Sequence, residues 1–262
     1  MTEKTGEQNN DTQNGSRGSY ASVNGLSMYY EIHGSGFPLV LLHGAFTTIE
    51  MFAALLPELS SNRQIIAVEL QGHGRTADIE REIRLEYLAD DVAALLAHLG
   101  IAQTDVFGYS MGGSVALYLA RRHPGLVRKL ALASTAYNLD AYYPEMREGL
   151  IHATPEGFPP VMREAYERVA PNPAGWPVLV AKMSRQAASA GGLQPEEVQS
   201  INVPTLVIAA DGDIIRPECT QELARLLHAE LVVLPDSDHA SYIVAPPELL
   251  LARLSAFFDA PL

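Results

Sequence analysis

The chain is poor in cysteine, in positive charge and in long apolar runs, and each shortage narrows its chemistry. Cys219 is the single cysteine in 262 residues. It cannot close an internal disulfide, it has no ligand-like spacing, and it reads as a structural thiol. Lys and Arg number 18 against 31 Asp and Glu, for a formal net charge of −13, with no basic cluster. Nucleic acid and anionic membrane surfaces are therefore not expected partners. No stretch approaches the roughly 20 apolar residues of a membrane span. Residues 1–18 are polar and rich in Gly, Asn and Thr. They read as a disordered tail, neither a signal peptide nor a fold element. A soluble protein of the reducing cytoplasm is expected. No internal repeat is evident.

What is present is 47% hydrophobic residues with 19% charged, enough for one sizeable core. Ser19–Val23 and Leu26–Ile32 flank Asn24-Gly25, a strong hairpin signal. Pro38–Leu42 and Gln64–Glu69 are solid apolar runs, as in strands covered on both faces of a parallel sheet. Between them, Thr48 is placed to cap a helix carrying Met51, Phe52, Leu55 and Leu56. Leu88, Val92, Leu95, Leu96 and Leu99 follow helical spacing up to Gly100. Strands are expected again at Thr104–Phe107, Val127–Ala133, Pro204–Ala209 and Leu231–Leu234. Helices are expected at Gly113–Ala120, Thr220–Leu227 and Pro247–Phe258. This alternation implies a doubly wound, mostly parallel α/β sheet with helices on both faces. The core spans 19–135 and 201–262. Residues 136–200 break the pattern and read as a helical cap insertion.

The stretch around which the rest is arranged is Gly108-Tyr109-Ser110-Met111-Gly112, at a strand-to-helix switch. A serine on such a turn is held in a strained conformation with its hydroxyl exposed. The glycines allow strand and helix to approach, and the Met111 amide falls at a helix N-terminus that favours a negative oxygen. In doubly wound sheets functional groups collect at the carboxyl ends of strands. Those ends supply His43-Gly44-Ala45-Phe46, Gln71-Gly72-His73-Gly74, Ser110, Asp211-Gly212-Asp213 and Asp236-Ser237-Asp238-His239. A serine nucleophile needs an imidazole base, and that base needs a carboxylate to orient it. Of eight histidines, His239 alone follows the last strand, with His43 as the substitute; the other loop histidines read as backbone braces. Asp211 and Asp213 both follow the strand Thr205–Ala209. Asp213 is the favoured acid, and Asp211 then faces solvent or caps the turn.

With these residues in view, the chain resembles the α/β-hydrolase superfamily, and within it small bacterial serine esterase-like members with a short helical cap. The resemblance rests on His43-Gly44, Gly72-His73-Gly74, the pentapeptide around Ser110, Pro204 through Asp213 with Pro217, and His239. It implies the order nucleophile, acid, histidine as Ser110, Asp213 and His239. The family's acid lies nine residues after the proline opening its strand, as Asp213 does after Pro204. It also implies an oxyanion hole from the backbone amides of Met111 and Ala45, with Phe46 as the alternative to Ala45. Two departures stand out. Asp238 precedes the histidine where many relatives have glycine, and the glycine-rich oxyanion loop of lipases is replaced by Ala45-Phe46. Epoxide and haloalkane hydrolases of this superfamily carry aspartate at the elbow, so Ser110 directs the expectation to acyl transfer to water.

The expected activity is thus hydrolysis of carboxylic esters of small, largely uncharged molecules, with water as co-substrate and no metal or cofactor. Carbon–carbon bond hydrolysis, lactone cleavage or perhydrolysis could run on the same triad, and a non-enzymatic ligand receptor is the third class. Phe46, Tyr109, Tyr137 and Trp176 are the expected substrate-binding residues. The aromatic and methionine side chains of the insertion suit either a pocket or the cap's own small core.

Overall fold

Strand residues that alternate between two faces need apolar cover on both, and the chain supplies it by sending helices to either side. The computed structural model describes residues 18–189 and 191–262. Its eight strands are β1 (Gly18–Val23), β2 (Leu26–His33), β3 (Phe37–Leu42), β4 (Arg63–Val68), β5 (Thr104–Tyr109), β6 (Val127–Ala133), β7 (Thr205–Gly212) and β8 (Glu230–Asp238). They form one sheet in the order β1-β2-β4-β3-β5-β6-β7-β8. The first two strands pair antiparallel with each other, and β2 pairs antiparallel with β4; every other neighbour is parallel. The hairpin turns at Asn24 and Gly25, both at positive φ, as the primed turn requires. The expected tail over 1–18 lies outside the described residues except for Gly18, which begins β1.

The described helices are α1 (Leu56–Leu59), α2 (Leu85–His98), α3 (Met111–Arg122), α4 (Pro144–Ile151), α5 (Pro160–Val169), α6 (Trp176–Ser189), α7 (Pro195–Gln199), α8 (Pro217–Leu226), α9 (Ser241–Val244) and α10 (Glu248–Asp259). Val40, Leu42, Ile66, Val68 and Val106 pack in one core with Leu88, Val92 and Leu95 of α2 and Val115 and Leu119 of α3. Their strand neighbours Leu39, Leu41, Ile65, Ala67 and Phe107 pack on the other face with Leu250, Leu254 and Phe258 of α10. Each fully buried aliphatic side chain contributes about 1.5–3 kcal/mol. The two layers thus hold the strand ends, and everything at them, in place.

One element differs from the sequence expectation. Thr48 does accept a hydrogen bond from the Glu50 amide at 3.2 Å, but what it caps is a single 3-10 turn at Ile49–Phe52. The α-helix begins only at Leu56, because Pro57 in its first turn has no amide to give and its ring bars the carbonyl four residues back.

The helical excursion lies between β6 and β7. Its interior is an aromatic cluster around Trp176, whose ring centroid lies 5.5 Å from that of Phe158 and 5.7 Å from those of Tyr166 and Phe46. Lys182 of α6 ties the excursion to the core: its ammonium donates to the Ile79 and Arg81 carbonyls at 2.6 and 2.8 Å and pairs with Asp78 at 2.6 Å. The last helix of the stretch, α7, packs on α3 and α8. No described helix is long and apolar enough to cross a membrane.

Candidate active site

The end of β5 turns so sharply into α3 that Ser110 sits at φ +53° and ψ −120°. Such a conformation costs on the order of 1–3 kcal/mol in a residue with a side chain. It is held by a 2.8 Å hydrogen bond from the Ser110 amide to the Ala133 carbonyl of β6. The close approach also requires glycine: a Cβ at Gly108 would lie 2.5 Å from the Gly112 carbonyl oxygen. Met111 is the first residue of α3, so its N–H has no partner inside the helix.

Opposite this turn, the loop after β3 is fixed by His43. The Leu70 amide donates to His43 Nε2 at 3.1 Å, so Nδ1 carries the proton and donates to the Gly44 carbonyl at 2.8 Å. Burial, then the neighbouring His73, pushes the His43 pKa down to about 3; burial likewise takes His73 down to about 4. Both are neutral braces. Ala45, Phe46 and Met111 share one cavity wall with Ser110.

His239 arrives on the loop after β8. Its Nε2 lies 3.0 Å from Ser110 Oγ and its Nδ1 lies 2.7 Å from Asp213 Oδ1. Asp213 is buried at the end of β7, where its carboxylate also accepts from the Ile215 amide at 3.3 Å and from the Ser134 hydroxyl. Burial alone would raise its pKa; the bonds from His239, Ser134 and Ile215 outweigh that and hold it below the usual carboxylate value. Asp211 sits two residues away in solvent, accepting from the Asp236 and Ser237 amides at 2.9 and 3.0 Å. It stitches β7 to the β8 end. Asp238 does not compete for the imidazole: its Oδ1 accepts from the Ala240 and Ser241 amides, both at 2.9 Å, at the start of α9.

Two side chains of the constellation escaped the sequence reading. Ser134, at the end of β6, bonds the second oxygen of Asp213, and the Tyr242 hydroxyl meets Ser134 Oγ at 2.6 Å. The strand-end rule points at Ser134; Tyr242 has no local signature.

Over Ser110 lies a cavity of about 250 Å³ lined by residues of both core and cap, among them Tyr137, Tyr142, Phe158, Met162 and Met183. Of the four expected substrate-binding residues, Phe46 and Tyr137 line it, and two do not. Tyr109 follows Phe107 by two residues on β5, so its ring goes to the opposite face of the sheet, with Tyr242. Trp176 is enclosed by Phe46, Phe158 and Tyr166, with its indole N–H bonded to the Pro155 carbonyl at 3.3 Å. The insertion's large side chains are therefore divided between wall and core. Among the described residues, no group of three or more His, Cys, Asp or Glu is arranged to hold a metal ion.

Chemically, an imidazole anchored through Nδ1 offers an unprotonated Nε2 to the serine hydroxyl. It can take that proton as the oxygen attacks an electrophilic carbon. A mostly parallel sheet with helices on both faces, a strained serine at a strand–helix turn and a histidine after the last strand define a class: the chain belongs to the alpha/beta hydrolase family, whose sequence profile matches residues 39–253. Within it, the chain is 30% identical over 244 residues to the dihydrolipoyllysine-residue acetyltransferase component of the acetoin cleaving system of Pseudomonas putida, covering 84% of this chain and 63% of that protein. It is 41% identical over 107 residues to the pimeloyl-[acyl-carrier protein] methyl ester esterase of Neisseria meningitidis, covering 40% of each. Each match spans less than two thirds of the relative's own length. The enol-lactonase of Burkholderia xenovorans LB400 superposes with a TM-score of 0.73 at 25% identity, over 92% of this chain and all of that one (100%). The three names describe different reactions, so they define the family rather than a substrate.

Proposed function

We propose that the protein is a serine hydrolase that cleaves carboxylic esters of small, uncharged substrates through an acyl-enzyme on Ser110. The reading is carried by one observation: the 3.0 Å contact between Ser110 Oγ and His239 Nε2 opens onto a cavity lined, among the described residues, by no Asp, Glu, Lys or Arg. A substrate carboxylate there would lose its water without gaining a cation, at a cost of several kcal/mol. The nearby cap cations are committed elsewhere, Lys182 to Asp78 and Arg185 to Glu82. A neutral ester fits; an anionic one does not.

In this mechanism Ser110 Oγ attacks the ester carbonyl as its proton passes to His239 Nε2. The amides of Met111 and Ala45, or of Phe46 in place of Ala45, receive the oxyanion. A backbone donor of this kind is typically worth about 3–4 kcal/mol in the transition state. Collapse breaks the carbon–oxygen bond, and the leaving alkoxide takes the imidazolium proton to depart as an alcohol. Water then adds to the acyl-enzyme, giving its proton to His239, and the second collapse returns that proton to Ser110 and releases the acid. Asp213 holds the imidazole throughout. A small-molecule ester and water are the only partners this requires, and the single cysteine is compatible with a cytoplasmic setting. Lactone and activated carbon–carbon cleavage use the same three groups and form the alternative.

The test is a fluorophosphonate adduct mapped by peptide mass spectrometry, alongside turnover of p-nitrophenyl esters and of vinylogous diketones. Labelling on Ser110, abolished in Ser110→Ala, with ester turnover dominant, is expected. No adduct at Ser110, or fast diketone cleavage with negligible ester turnover, overturns the assignment.

A further inference from the structure

Polar groups on the cavity wall are mostly engaged within the protein. Ser110 and His239 bond each other, the Ser114 hydroxyl donates to the Ala136 carbonyl at 2.7 Å, and the Tyr137 hydroxyl donates to Glu222 at 2.9 Å, with Asn138 beside it. Tyr142 differs. It lines the cavity, and its hydroxyl makes no hydrogen bond to a described residue. Burial, then the nearby Asp213 charge, pushes its pKa up to about 12, so the phenol keeps its proton as a donor throughout the neutral range.

The backbone that carries this phenol is fixed. Tyr142 forms an antiparallel bridge with Ile215, two residues beyond Asp213. On one side of the bridge the Tyr143 amide donates to the Ile214 carbonyl at 3.4 Å; on the other the Arg216 amide donates to the Ala141 carbonyl at 2.9 Å. The Arg216 guanidinium adds a 2.6 Å bond to the Asp140 carbonyl. The backbone of Tyr142 is thus held by the loop that holds the acid, which fixes its Cα relative to Asp213. Gln186, also on the wall, projects from α6 on a longer side chain with more rotors.

We propose that Tyr142 is a specificity residue: its hydroxyl donates to a neutral oxygen of the substrate other than the scissile carbonyl. The preferred ester therefore carries a ketone, amide or ether oxygen on its acyl or its alkoxy part. This inference rests on the ester-hydrolase reading above. In a mostly apolar cavity, a substrate without such an oxygen leaves the phenol unpaired when water is displaced, and loses rate accordingly. The cavity holds about eight water volumes, enough for a chain of six or so atoms with one acceptor in it.

The experiment compares matched ester pairs on the intact protein and on Tyr142→Phe. The pairs are hexanoate against 4-oxohexanoate esters of p-nitrophenol, and hexyl against 2-propoxyethyl acetate. Wild-type protein is expected to favour the oxygen-bearing member of at least one pair about tenfold in kcat/KM, one hydrogen bond's worth. In Tyr142→Phe that preference disappears, with the hydrocarbon member gaining rate because no phenol is left unpaired, and the melting temperature stays at the wild-type value. Equal loss on both members, a preference that survives in Tyr142→Phe, or no preference in wild type overturns the role of Tyr142. Absence of ester turnover and of a Ser110 adduct in wild type instead overturns the reading beneath it.

Discussion

The hydroxyl of Tyr109 donates a 2.8 Å hydrogen bond to the backbone carbonyl of His239, 130 residues further along the chain. The residue that precedes the serine therefore holds the loop that carries the histidine. The two rings also pack, with centroids 5.3 Å apart. Tyr109→Phe removes the donor and nothing else. It is expected to lower stability by about 1 kcal/mol and kcat/KM several-fold with KM little changed, measured by denaturant unfolding and steady-state kinetics. Full retention of kcat would show that the loop holds its place without this clamp.

The two aspartates after β7 make a controlled comparison. Asp213→Asn removes the carboxylate bonded to His239 Nδ1 and leaves the imidazole free to take the wrong tautomer. A fall in kcat of roughly 10³–10⁴-fold is expected. Asp211→Asn touches only the Asp236 and Ser237 amides, and its kcat is expected within about threefold of wild type, since one neutral acceptor replaces a charged one. Comparable losses in the two variants would remove the distinction.

Asp238 offers a test of loop order. Its pKa is held low, first by the Ser241 amide and then by the Ala240 amide. A carboxylate with a depressed folded value stabilises above its usual pKa and loses that contribution as pH falls through the depressed value. Asp238→Gly is expected to speed hydrogen exchange of the amides over 240–244 and to lower the melting temperature at pH 7. The gap from wild type should close in strong acid. A gap independent of pH would assign the loss to glycine flexibility alone.

His43 and His73 set the acid stability. Their folded pKa values, about 3 and about 4, lie below the unfolded value of about 6.5, so between those limits the unfolded chain binds more protons. These two rings then take stability away as pH drops from about 6.5 towards 4, while Glu69, whose burial raises its pKa to about 7, offsets one of them. The urea midpoint is expected to decline steadily across that window, and His73→Asn, which takes one titrating group away, to decline less steeply. A midpoint flat from pH 7 to 4.5 would contradict the neutral, buried state of both rings.

What the sequence determined by itself was everything governed by neighbours along the chain. Alternation of apolar residues marked the strands, Asn24-Gly25 the hairpin and Gly100 the helix stop, while the two glycines around Ser110 marked a turn that only they permit. Side-chain pairings across long stretches were left to the tertiary structure, because they depend on strand register and on which face each residue meets. Register put Asp213, rather than Asp211, against His239 and brought Ser134 and Tyr242 in behind it. The two-residue period of β5 sent Tyr109 away from the cavity, and cap packing enclosed Trp176 while leaving Tyr142 on the wall. Local dihedral and hydrophobic preferences act over a few residues and are written in the chain order; a contact between residues 26 or 130 positions apart exists only once the sheet has closed the distance.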